Sequence, residues 1–271
     1  MDTEKTKESI SKIVILTNII FITLIAWWIY IFLTGTKDAP INHIFGFIYG
    51  GFSLWGGLWG FIVSKRWGGT KSKMGKAILF LALGLLCQAF GQYSFWIYNY
   101  VLNVAVPYPG IPDIGYFGTI PFYIYAAILL AEAAGVHLTL TSIKNKIQVL
   151  LIPLVILSIS YYLFLKDYSF QDTTTLQVLL DFGYPLGQAV YISIAILTYS
   201  LTRGILGGVM RSKVLLILLA FLAQYLAEFI FIYFHDLYFP ASFIDVFYLL
   251  AYFVMTYAIL KLNELYWKLR G

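Results

Sequence analysis

Three carboxylates stand inside long apolar stretches of this chain, and each has polar company at helical spacing. Asp181 is followed by Tyr184 and Gln188, Gln224 precedes Glu228, and Asp245 precedes Tyr248. Separations of three and four residues put each set on one face of a helix. An ionisable side chain at bilayer depth costs a few kcal/mol, so such groups face a bundle interior, a water-filled cavity or the interface. Two roles fit. The carboxylates with their phenols and amides can line a cavity that binds a cationic or hydrogen-bonding ligand or holds a proton. Alternatively, they are interhelical hydrogen bonds that fix packing, at about 1 kcal/mol each.

Other chemistry finds little support. His43 and His235, with Asp236 or Glu228, do not form a ligand set at recognisable metal spacing. No nucleophile elbow, phosphate loop or dinucleotide fingerprint occurs. Cys87, the single cysteine, sits mid-run and reads as a core thiol. The expectation is therefore no catalytic site, no metal, no cofactor and no enzymatic role.

These residues must be carried by membrane-spanning helices. Of 271 residues, 61% are hydrophobic and only 11% charged, which leaves too little polar surface for a domain solvated by water. Runs of about 20 apolar residues satisfy their backbone in hydrocarbon only as helices, and the alternation of a membrane barrel is missing. Polar breaks give eight spans near 12–34, 42–63, 76–102, 114–135, 147–165, 175–202, 212–234 and 242–266. The first is long for a signal peptide and lacks a small-residue cleavage site, so it is expected to be retained. Glu132, near the end of the fourth span, reads as an interfacial residue reaching water.

Charge then orients the spans. Sixteen of the eighteen Lys and Arg lie at the amino terminus, in alternate connections such as Lys65 to Lys76, Lys144 to Lys146 and Arg203 to Lys213, or at the carboxyl terminus, leaving Lys37 and Lys166 opposite. The positive-inside bias makes that side cytoplasmic, with both termini on it. Asp38, Asp113, Asp167, Asp172 and Asp236 crowd the other side. Trp27, Trp28, Trp96, Tyr100, Tyr266 and Trp267 suit interfacial belts, and most other tyrosines and phenylalanines read as packing. Because the basic residues sit at helix ends and form no basic face, the net charge of +5 reports orientation and not a nucleic-acid partner. Short loops suit a prokaryotic plasma membrane.

The sequence also reads as an internal duplication, with residues 1–136 and 137–271 as two parallel four-helix repeats. Gln88 and Gln92 match Gln224 and Glu228, and Asp113 with Tyr116 matches Asp245 with Tyr248. Gly68-Gly69 before a basic stretch matches Gly207-Gly208 before Met210-Arg211-Ser212-Lys213. Asn42 is expected in the place of Asp181. Pro185 should kink the sixth span beside Asp181, and the faces of the three acids should meet in the outer half of the second unit. Gly50-Gly51 and Gly56-Gly57 read as close helix packing.

Gly91-Gln92, the aromatic helix Tyr93 to Val101, Tyr108-Pro109, Asp113 and Tyr116 together resemble the third and fourth spans of the multi-span input regions that precede some bacterial diguanylate cyclases and sensor kinases. Tyr184-Pro185-Leu186-Gly187-Gln188 and Asp245-Val246-Phe247-Tyr248-Leu249 continue the likeness, which covers most of the chain as a pattern. It implies a sensory or scaffold role in the bilayer. Gln92 and Gln188 replace the usual Asp, and the sequence to Gly271 carries no cytoplasmic catalytic domain. The resemblance thus implies signalling through a cytoplasmic protein, with oligomeric state left open. The other reading of the intramembrane acids is a small-solute or ion transporter or channel with Asp181 and Glu228 in its pathway.

Overall fold

The computed structural model of the chain describes residues 3–35, 37, 39–136, 142–202 and 208–269, and of 3–9 and 208–210 the backbone alone. Asp38, Arg203, Gly207 and Arg270 lie outside the described residues, as do the side chains of Lys5 and Lys7. The helices are α1 (Thr3–Thr34), α2 (Pro40–Arg66), α3 (Lys73–Trp96), α4 (Ile111–Ala133), α5 (Ile143–Phe164), α6 (Thr175–Thr202), α7 (Gly208–Phe234) and α8 (Phe243–Lys268). All eight contain a segment long and apolar enough to cross a membrane, so the chain is an all-α, multi-pass membrane protein, and no strand occurs among the described residues.

Local sequence explains the boundaries. Pro40 opens α2 where a helix needs no donor. The Ser72 hydroxyl caps α3 by accepting from the Gly75 amide at 2.9 Å. The π turn Ile97–Val101 prolongs α3. Helix α6 runs on through Pro185, where the proline leaves a carbonyl one turn earlier without its usual donor. Ser160 of α5 donates to the Pro185 carbonyl at 3.0 Å.

Helices α2, α3, α4, α6, α7 and α8 touch in that order and close into a ring, α8 returning to α2; α1 lies outside against α8 and α2, and α5 outside against α6. Ser160 is the buried residue of α5, and the rest of that helix presents residues such as Leu150, Leu154 and Ile159 outward. In hydrocarbon such a surface is solvated by lipid.

The two ends of the ring differ in chemistry. At one end, Arg66 donates to Asn263 at 2.7 Å, Lys73 pairs with Glu132 at 2.9 Å, and the Trp67 indole donates to the Leu262 carbonyl at 3.1 Å. Above this basic end lies a continuous apolar cluster that includes Val63, Ile78, Leu81, Ile217, Phe221 and Ile259. At the other end the acidic and tyrosine side chains gather. Between them glycines let helices approach closely: a Cβ on Gly56 would stand 2.1 Å from Thr256 Oγ1, and one on Gly57 2.6 Å from Leu86.

Candidate functional site

The acidic end is organised by tyrosine hydroxyls that donate to side-chain oxygens, and the bonds fall in matched pairs. Tyr184, the tenth residue of α6, donates to Asp113 Oδ1 at 2.8 Å. Tyr49, the tenth residue of α2, donates to Asp245 Oδ1 at 2.8 Å. Each aspartate is the third residue of its helix, and its other oxygen accepts from the backbone just before that helix, Gly110 N for Asp113 and Ala241 N for Asp245, both at 2.8 Å. One carboxylate thus caps a helix N-terminus, where the backbone donors favour an anion, and receives a phenol from across a helix seam.

A second pair repeats the pattern. Tyr116 of α4 donates to Gln92 Oε1 of α3 at 3.1 Å, and Tyr248 of α8 donates to Glu228 Oε2 of α7 at 2.9 Å. Gln224 Nε2 donates to the other Glu228 oxygen at 3.2 Å. Tyr252 of α8 reaches across the ring to Gln88 of α3 at 3.2 Å. Glu228 thus stands at the acidic end of the ring, bonded to Gln224 and Tyr248. Glu228, Tyr248, Tyr184, Tyr116 and Asp113 keep partial accessibility, while Asp245, Gln88, Gln92, Gln188 and Gln224 are buried.

No family model matches the chain, and neither a curated protein nor a solved structure matches it. The chemistry has to be read from the side chains themselves.

The three acids of the second half have separate partners. Asp245 accepts from Tyr49 of α2, Glu228 from Gln224 and Tyr248, and Asp181 from tyrosines of two connecting loops, Tyr108 and Tyr168, the latter at 2.8 Å. Burial, then the hydrogen bond to Asp181 and its charge, push the Tyr108 phenol up, and the same causes raise Tyr168. Tyr238, in the α7–α8 connection, is raised by burial and by Asp245. Asn42 is not placed like Asp181: it is the third residue of α2 and donates to the Pro240 carbonyl at 3.1 Å, whereas Asp181 is the seventh of α6.

The remaining polar groups of this end have local roles. The His43 ring lies tilted against Tyr100 with centroids 4.8 Å apart, and His235 lies 3.2 Å from the exposed Asp236. An open cavity of about 410 Å³ is lined by Pro40, His43, Asn99, Tyr100, Asn103 and Pro240, and none of the carboxylates lines it. Among the described residues no group of three or more His, Cys, Asp or Glu side chains could hold a metal ion.

Proposed function

We propose that the protein is a membrane-embedded sensor, with both termini in the cytoplasm and a ligand well in the outer leaflet centred on Glu228. Residues 1–136 and 137–271 are duplicated four-helix repeats in this reading, and their paired Asp–Tyr and Tyr–Gln/Glu bonds at matching helix positions support it. Helix shifts in the ring carry occupancy to the basic loops, where a cytoplasmic signalling protein docks. The resemblance to input regions of cyclases and kinases points the same way, and the well binds its ligand without turning it over.

One observation carries the reading: a carboxylate inside an apolar span, bonded to Gln224 and Tyr248 and accompanied by further tyrosines, stands above apolar packing toward the basic end. A transport pathway through Asp181 and Glu228 is the other reading; that Asp181 accepts from Tyr108 and Tyr168 while Glu228 accepts from Gln224 and Tyr248 favours the sensor over it.

Binding and flux measured on one preparation test this. In detergent, a panel of inorganic and organic monovalent cations is expected to include members that raise the wild-type Tm, by about 5 °C at a hundredfold excess over Kd. Glu228→Gln should abolish that rise, and proteoliposomes should show no flux of the same cations. Flux that Glu228→Gln removes would overturn the sensor in favour of a transporter.

A further inference from the structure

The basic end of the ring holds donors that no acceptor meets. Asn263 and Trp267 lie one turn apart on the same face of α8. Their side-chain nitrogens, Asn263 Nδ2 and Trp267 Nε1, are buried with no hydrogen-bond partner among the described residues. Both nitrogens donate and neither accepts, so each lacks an acceptor, a costly state for a buried group. Arg66 of α2 joins them: it donates to Asn263 Oδ1 at 2.7 Å, and its guanidinium stands 5.7 Å from the centre of the Trp267 ring. No carboxylate among the described residues pairs with Arg66.

Trp267 is also a wall of a cavity of about 250 Å³ in the α1–α8 seam, completed by Ile10 and Ser11 of α1 and by Glu264 and Lys268 of α8. Glu264 is taken up by Lys261 at 2.8 Å, which leaves Lys268 as the cavity's unmatched charge among the described residues. The cavity lies at the depth of the membrane surface, because the apolar segment of α1 begins at Ile10 and that of α8 ends at Lys268. From there Ile15, Ile19 and Ile22 follow Ser11 at helical spacing and are exposed, a strip of α1 that hydrocarbon covers.

We infer that this cavity seats the phosphate of an anionic phospholipid, which accepts from the Trp267 indole, the Ser11 hydroxyl and Lys268 while an acyl chain lies along Ile15, Ile19 and Ile22. A basic pocket between spanning helices at the membrane surface is suited to anionic head groups. Phosphate oxygens supply the acceptors that the indole and ammonium donors need, and charge strengthens those bonds. The apolar strip leading from Ser11 into the bilayer favours a lipid over a soluble phosphate. The site lies at the end opposite Glu228 and stands whether or not that well binds a ligand.

Native mass spectrometry of the purified full chain in detergent, titrated with dioleoyl phosphatidylglycerol, dioleoyl phosphatidylcholine or inorganic phosphate, tests the inference. One phosphatidylglycerol per chain should bind about tenfold more tightly than phosphatidylcholine, through the charges of Lys268 and Arg66, and inorganic phosphate should not displace it. Trp267→Phe, which keeps an aromatic ring and removes the N–H, should weaken phosphatidylglycerol about tenfold. Lys268→Gln should weaken it about fivefold, and Lys144→Gln, at the same basic end on α5, should leave it unchanged. Equal affinity for the two lipids, an unchanged Trp267→Phe variant, or equal losses from Lys144→Gln and Lys268→Gln overturns the site. Displacement by inorganic phosphate overturns the lipid as its occupant. Lys268 is exposed, so its substitution and the wild-type selectivity decide the matter even if Trp267→Phe does not fold.

Discussion

Gly115→Val should destabilise the chain by about 3 kcal/mol, because overpacking costs 1–3 kcal/mol and more where backbones must part. A Cβ at Gly115 would stand 2.4 Å from the Gly91 amide nitrogen, 2.5 Å from the Cys87 carbonyl oxygen and 2.8 Å from the Gly91 Cα. These are main-chain atoms of α3 and cannot rotate aside. The contact also sets the spacing at which Tyr116 of α4 meets Gln92 of α3, so the variant should lose the acidic-end network along with the helix pair. Gly118→Ala, one turn further along α4, is the control. Its nearest neighbour would be Cys87 Sγ at 3.6 Å, an ordinary contact, and the gain in helix propensity makes the change neutral or slightly stabilising. Thermal unfolding of the two variants side by side checks the difference; equal stability would mean that α3 and α4 do not meet through Gly115.

Asp245→Ala should also cost about 3 kcal/mol, since it strands two donors at about 1–3 kcal/mol each. Asp245 is 2% exposed, and its oxygens hold the Tyr49 hydroxyl and the Ala241 amide. That pair ties the α7–α8 connection and α8 to α2, closing the ring. Asp113→Ala strands the corresponding donors at the α4–α6 seam. Asp113 is partly accessible, so water replaces much of what is lost and the cost falls to about 1 kcal/mol. Asp245→Asn keeps one acceptor and should lie between. Unfolding curves that rank Asp113→Ala as the more damaging change would show that the Asp245 seam is not the one that closes the ring.

The eight helices were legible because hydrocarbon leaves the backbone few options. Apolar run length and polar breaks give the spans to within a few residues. Asp113, Tyr116, Gln92 and their later counterparts were visible as a repeated pattern. The partners were harder to read. Tyr49 and Tyr252 belong to a population of 22 tyrosines, and a phenol ring in an apolar run looks the same whether its hydroxyl meets a carboxylate or an interface. Applying the half-to-half spacing to tyrosines would have paired Tyr49 with Tyr184, the tenth residues of α2 and α6.

Which helices abut is not a property of any one span. Asp245 and Tyr184 share a half with Glu228, yet each reaches a helix of the other half, because the ring places α8 against α2 and α6 against α4. Asp181 looked equivalent to Glu228 by residue type and burial in apolar sequence. Two loop tyrosines, Tyr108 and Tyr168, take it out of the centre. Loop reach carries no periodic signal, so this division of labour among the acids was not readable from spacing.

The central claim is that Glu228 is reached from the acidic end and sealed from the basic end. A cationic, membrane-impermeant thiol reagent applied to Glu228→Cys, with native Cys87 replaced by Ala, measures this in vesicles of both orientations. Lys71→Cys and Asp167→Cys report the basic and acidic ends. The prediction is modification of position 228 only in the orientation that labels position 167. Modification in the orientation that labels position 71 would contradict it.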